Sequence, residues 1–281
     1  MKRFVVFIMA AAIFVAADSF CVEMSDLMPV LRQVKKDINS TLLEIDKDLK
    51  AAAKDLSTLD FKSDEARKIL NGLRKFRPYV IDCSILNADG MKVAVEPEDF
   101  RKYEDTDRSG IPYVIDLLKN KKPVLSSVYA SEEGVNAVSA GYPIFSDKGE
   151  LLGAVRMLIQ HEIFLKPLAD GKPCKVWMIQ PNGLLIYDPD PTQIGKNIFT
   201  DPLYKSFDDL ISFARTVALS YSGAGSYDFY AGGLEDKTLV KKVAVWDTVG
   251  LYGTEWRVVA MEIDKPVVVE TKEPAKDAKA N

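Results

Sequence analysis

His161, in Gln160-His161-Glu162, is the chain's one histidine. A lone imidazole cannot build a multi-histidine metal site, and no Gly-x-Ser-x-Gly elbow or Cys/His arrangement surrounds it. The three cysteines, Cys21, Cys83 and Cys174, are spaced for neither a disulfide framework nor a zinc site. Cys83 and Cys174 each lie in an apolar strand-like run, which reads as a small buried hydrophobe. Gly223-Ala224-Gly225 precedes a strand rather than a helix, so it is not a phosphate cradle. Carboxylates are numerous but show no recognisable catalytic spacing. Asp188-Pro189-Asp190 resembles a cation loop, yet Pro189 and Pro191 suit a rigid turn. The chain is therefore read as a binding protein and not an enzyme, with no cofactor and no metal.

Charge and composition narrow the partners. Formal net charge is −4 over 281 residues, and 47% of them are hydrophobic, so a sizeable core can be buried. No Lys/Arg-rich run provides an electrostatic footprint for nucleic acid. Lys2 and Arg3 precede the uncharged run Phe4 to Ala17, and Val15-Ala16-Ala17 offers compact residues where a signal peptidase cuts. That run falls short of the ~20 apolar residues of a stable membrane span. Residues 1–17 are therefore expected to be a signal peptide, giving a periplasmic or extracellular chain. An uncleaved N-terminal anchor is the alternative. Asp18-Ser19-Phe20 is a poor match to the small residues expected before a lipidated Cys21.

The elements that must position any site follow from periodicity. From Asp26 to Leu59, Leu27, Leu31, Val34, Ile38, Leu42, Ile45, Leu49, Ala52, Leu56 and Leu59 recur at three- and four-residue steps. That is the narrow stripe of a long packed helix or a coiled-coil seam. Pro29 fits in its first turn, with Ser25 as the cap. Ser63 caps a second helix over Asp64–Phe76, which Pro78 stops. The period then becomes strand-like: Tyr79–Leu86, a turn at Asn87-Ala88-Asp89-Gly90, and Met91–Val95. A short helix is expected over Ile111–Lys119, then strands over Val124–Tyr129, Asn136–Ile144 and Leu151–Ile159. The plan recurs with Lys175–Gln180, the turn at Pro181-Asn182-Gly183, Leu184–Tyr187, a helix over Leu203–Ser220, and strands Tyr227–Tyr230, Lys241–Asp247 and Glu255–Glu262. Gly90 and Gly183 mark equivalent turns of a repeat of roughly ninety residues. Residues 265–281 read as a disordered tail.

Several segments, taken in order, resemble the double Cache family of extracytoplasmic, PAS-like sensor domains. They are Tyr79-Val80-Ile81-Asp82 through Gly90, Asp105-Thr106-Asp107-Arg108 followed by Tyr113, and Tyr142-Pro143-Ile144 with Asp147 through Gly153. Asn182-Gly183, Tyr187-Asp188-Pro189-Asp190, Ile194-Gly195-Lys196-Asn197 and Gly253-Thr254-Glu255-Trp256-Arg257 continue the likeness. The resemblance implies an α+β fold: two N-terminal helices over 18–78, a membrane-distal-type module over 79–168 and a membrane-proximal-type module over 169–264. It also implies a small-molecule ligand held in the first module near Asp107 and Arg108.

Within that frame Arg108 offers a planar fork for a carboxylate. Tyr113, Tyr129 and Tyr142 supply aromatic walls and hydroxyls, and Glu132 or Glu133 suits an ammonium group. The second Arg and the Trp that follow the first Arg in the family's amino-acid-binding branch are replaced here by Ser109, Gly110 and Ile111. The expected protein is a free-standing sensor module for a carboxylate or other small organic metabolite, reporting to a separate membrane receptor. The other reading is an assembly protein that forms a homodimer through the long helix.

Overall fold

The apolar side chains on one face of the first helix, Leu27 through Leu56, set the architecture. The computed structural model describes the backbone of residues 2–264 and the side chains of residues 25–264. The expected signal segment, residues 1–17, lies outside the residues whose side chains are described, and the tail, 265–281, lies outside the described residues altogether. Helix α1 runs over Lys2–Leu56. Its stripe, Leu27 through Leu56, is buried in the chain's own core, with Leu59 packed at the edge. The coiled-coil reading is corrected here: the seam is filled by sheet residues of the same chain, which leaves that face unavailable for a homodimer. The expected start at Ser25 is also corrected, because the helix continues through Pro29. Pro29 lacks the N–H for an interior helical bond. Leu27 and Leu31 on either side are both fully packed, and that packing holds the helix across the proline.

Helix α2 spans Asp64–Arg74, and the Ser63 hydroxyl accepts from the Ala66 N–H at 3.2 Å. The first sheet follows with β1 (Val80–Asn87), β2 (Met91–Glu96), β3 (Thr106–Asp107), β4 (Val124–Leu125), β5 (Tyr129–Ala130), β6 (Asn136–Phe145) and β7 (Leu151–Ile159), with α3 (Pro112–Leu118) between β3 and β4. Its order is β3-β2-β1-β7-β6-β4, and β5 also pairs with β6. The second sheet contains β8 (Lys175–Ile179), β9 (Leu185–Tyr187), β10 (Gly223–Tyr230), β11 (Leu239–Leu251) and β12 (Thr254–Ile263), ordered β10-β11-β12-β8-β9. In both sheets the first strand lies between its hairpin partner and the last strand, so the repeat read from the sequence is a repeat of topology. The tight turns at Gly90 and Gly183 have φ of 89° and 93°, a region that glycine occupies without strain.

Two helices differ from expectation. Helix α4 (His161–Ala169) joins the sheets where the sequence suggested only the end of a strand; Pro167 masks it locally, while buried Phe164, Leu165 and Ala169 hold it in place. The helix expected over Leu203–Ser220 is a 3₁₀ turn, Pro202–Tyr204, followed by α5 (Asp208–Leu219). One core cluster joins α1, α2, α4 and the inner faces of both sheets. The outer face of the second sheet packs on α5, and the outer face of the first packs on α3. Both Cys83 and Cys174 are buried free thiols. Among the described residues no helix is long and apolar enough to cross a membrane.

Candidate ligand-binding site

Buried polar residues of the central strands of the first sheet gather on its outer face, while on the inner face Glu96 of β2 pairs with Arg67 of α2. Side chains alternate across a strand, so Asp82 and Ser84 of β1, Ser139 of β6 and Arg156 of β7 project away from the α1 core. Cys83, Ile85, Val138, Ala140, Val155 and Met157 project into it. Register shifts between Val80 and Asp82, and between Ile85 and Leu86, re-aim the strand and set Lys92 of β2 opposite Leu86 on the outer face.

Arg156 is the hub of this face and only 2% exposed. Its Nη2 donates to Asp82 Oδ1 at 2.5 Å and its Nε to Ser84 Oγ at 2.9 Å. Nη1 reaches the hydroxyls of Tyr113 and Tyr129 at 3.3 and 3.5 Å. The two tyrosine rings lie 5.6 Å apart, and the Tyr129 and Ser139 hydroxyls are 2.7 Å apart. The Lys92 ammonium pairs with Glu132 and lies 3.7 Å from Glu133 Oε1. Glu132 also receives Arg108 Nη2, and Arg108 Nε donates to Thr106 Oγ1 at 3.2 Å. Three cations and three carboxylates thus form one connected cluster.

Burial dominates its electrostatics. It raises the Asp82 carboxyl, with Arg156 and Lys92 pulling the other way. It lowers the Lys92 ammonium to about 8, the nearby Arg156 charge adding to that. Glu133 is pushed up by burial, but its hydrogen bond with Asp82 and the charge of Arg156 bring it below the usual carboxylate range. Asp82 Oδ2 and Glu133 Oε1 are both buried without a hydrogen-bond donor, although the Lys92 ammonium lies 3.7 Å from the second. Two such acceptors side by side are satisfied either by one shared proton or by an ammonium group brought from outside.

The structure gathers five of the residues singled out from the sequence, Arg108, Tyr113, Tyr129, Glu132 and Glu133, into this cluster, and excludes two. Tyr142 is on the opposite face of β6, packed against the α1 core, because 142 is out of phase with 139. Asp107 is exposed, and its Oδ1 accepts from the Ser109 N–H at 2.8 Å, closing a local turn. Arg108 is engaged by Glu132 rather than free. The sequence reading passed over Asp82, Lys92 and Arg156. Their signal was a charge within a run otherwise apolar enough to be buried on both faces. In the second module, Asp190 Oδ1 accepts from the Thr192 N–H at 3.0 Å and its Oδ2 from the Leu234 N–H at 2.8 Å, the behaviour of a rigid turn. Among the described residues no group of His, Cys, Asp or Glu is arranged to hold a metal ion.

Residues 40–161 match the family model described as the HK/GC/chemotaxis protein-like sensor domain. Among solved structures, an extracellular ligand-binding receptor from Desulfohalobium retbaense matches with TM-score 0.69 and 27% identity over 83% of this chain. The alignment spans 39% of that receptor's length. The ligand-binding domain of the Campylobacter jejuni chemoreceptor Tlp3, solved with 4-methylisoleucine, matches with TM-score 0.61 and 13% identity, covering 89% of this chain and 94% of the other. That of the Pseudomonas aeruginosa amino-acid chemoreceptor PctC, solved with GABA, matches with TM-score 0.57 and 16% identity, covering 86% and 100%. A search of curated proteins gives no match. The match over residues 40–161 and the likeness to these solved domains show that this chain shares the fold of double Cache-type extracellular sensor domains.

Proposed function

We propose that this chain is an extracytoplasmic sensor module that holds a small amine-bearing metabolite, such as an amino acid, on the outer face of its first sheet. The observation that supports the ligand class is the pair of buried acceptors, Asp82 Oδ2 and Glu133 Oε1, neither with a hydrogen-bond donor and the second 3.7 Å from the Lys92 ammonium. An ammonium group satisfies both. Tyr113 and Tyr129 flank the position, and Arg156, Lys92 and Arg108 supply positive charge for an acidic group on the same ligand. The relatives solved with GABA and 4-methylisoleucine agree with a ligand of this kind. The expected carboxylate contact to Arg108 then requires Glu132 to yield its partner.

A thermal-shift screen of amines, amino acids and organic acids tests this. A ligand bound only by the folded state at a hundredfold excess over Kd adds about 2.7 kcal/mol, which moves the melting point of a chain this size by several degrees. The active compounds are expected to carry an amine. Asp82→Asn should remove the shift, whereas Tyr142→Phe, on the other face, should keep it. A response confined to compounds without an amine would defeat the assignment.

A further inference from the structure

The second module contains a cavity of about 270 Å3 on the outer face of its sheet, roofed by the 188–204 and 231–235 segments. It occupies the same topological place as the polar cluster of the first module: the outer sheet face, beneath the chain that follows the hairpin. Trp177, Tyr204, Tyr227 and Phe229 form its walls, and Lys242 and Asp188 bring charge into it. Its volume lies at the small end of metabolite pockets.

Lys242 is the unexplained residue. It is 3% exposed, projects from β11 with Ala244 and Trp246, and sits with its ammonium 5.4 Å from the Phe229 ring centre. Among the described residues it makes no hydrogen bond or ion pair. Burial disfavours the ammonium while the nearby Asp188 charge favours it, and an anion in the cavity supplies the hydrogen-bond acceptor that it lacks. Asp188 is the complementary group. Its Oδ1 accepts from the Asp190 N–H at 2.8 Å and the Gln193 amide at 3.3 Å, which leaves Oδ2 without a protein donor. Burial raises Asp188 to about 7, so near neutrality it both donates and accepts. A hydroxyl suits both forms; an ammonium suits only the ionised one.

We propose that the second module has its own site for a small hydroxy acid, its carboxylate held by Lys242 and its hydroxyl by Asp188. This inference goes beyond the first-module reading and does not depend on it. Lactate, alanine and propionate form a matched series that differs only in hydroxyl, ammonium or hydrogen beside the carboxylate, and titration calorimetry on the whole chain compares them. With the first site removed by Asp82→Asn, lactate is expected to bind most tightly of the three. Lys242→Met, which keeps the bulk of the side chain, should weaken lactate roughly thirtyfold or more, the scale for removing one partner of a buried charge pair. Asp188→Asn should reduce the preference for lactate over propionate. Lactate should bind the first-module variants Asp82→Asn and Tyr129→Phe as it binds the wild type; Tyr129→Phe covers the case in which Asp82→Asn fails to fold. The inference is overturned if lactate affinity survives Lys242→Met, if it disappears with the first-module substitutions instead, if alanine or propionate matches lactate in the first-module variants, or if no member of the series binds. An alanine response that is lost in Asp82→Asn but kept in Lys242→Met supports the first-module reading alone.

Discussion

Arg156 is surrounded by Asp82, Ser84, Tyr113 and Tyr129, and removing its charge leaves a buried carboxylate with nothing to balance it. Breaking such a pair costs about 3–5 kcal/mol. Arg156→Met is expected to lower stability by that amount in urea unfolding; a loss under ~1 kcal/mol would mean that Asp82 is neutral in the native protein. The facing Asp82 and Glu133 carboxyls give a second expectation. An ammonium ligand displaces any proton they share, so the apparent binding enthalpy should vary with the ionisation enthalpy of the buffer. Buffer-independent heats would show that no proton leaves. His161 supplies a third. Burial lowers it to about 4 from 6.5, with the Asn136 carbonyl pulling the other way. The unfolded chain therefore takes the proton first as pH falls, and the stability present above pH 6.5 is lost on the way down to about 4. Relative to His161→Gln, the wild type should lose up to about 3 kcal/mol across that window. Asp188 titrates in the opposite sense nearby, so the difference between the two proteins is the informative quantity. Parallel pH profiles would mean that His161 is solvated.

At the scale of elements, α1 is where local pattern and packing agree most fully. Its three- and four-residue spacing marked the stripe, and every member from Leu27 to Leu56 is buried. Leu42→Ala should cost about 2–5 kcal/mol, as a truncation in a packed core does, and should leave the oligomeric state seen by light scattering unchanged. A shift from dimer to monomer would restore the seam reading. The Ser63 cap and the glycine turns at 90 and 183 were equally legible, because each depends on a few neighbouring atoms. Helix α4 was not, since nine residues with Pro167 inside carry little helical signal of their own. The strand expected over Val124–Tyr129 is split into β4 and β5, because the Ser126 hydroxyl takes the place of a backbone carbonyl in accepting from the Ser139 N–H of β6 at 2.8 Å, and the Val128 N–H turns away to Gln180 Oε1 at 3.3 Å.

For the whole molecule, α1 serves as a shared spine. Lys35 pairs with Asp247 at 2.7 Å, Tyr252 bonds Asp46, and the Thr254 hydroxyl reaches the Leu125 carbonyl between the sheets. With one core running through both inner faces, calorimetric unfolding should be a single transition; two separated transitions would show that the modules are independent. Local pattern alone determined most of the elements and their repetition, because helical and strand periods and turn residues are local properties of the chain. It also indicated the region of the first site, through Arg108, Tyr113, Tyr129 and Glu132. Tertiary structure alone decided which side chains meet there. Asp82 and Arg156 lie 74 positions apart and touch only because β1 pairs with β7. Alternation assigns Tyr142 to a face, but only the packing of α1 decides that this face is the core. The partner of Arg108 is likewise a matter of which loop folds over the sheet: a charged fork free to grip a ligand and one already held by Glu132 have the same sequence, and only their surroundings in space distinguish them.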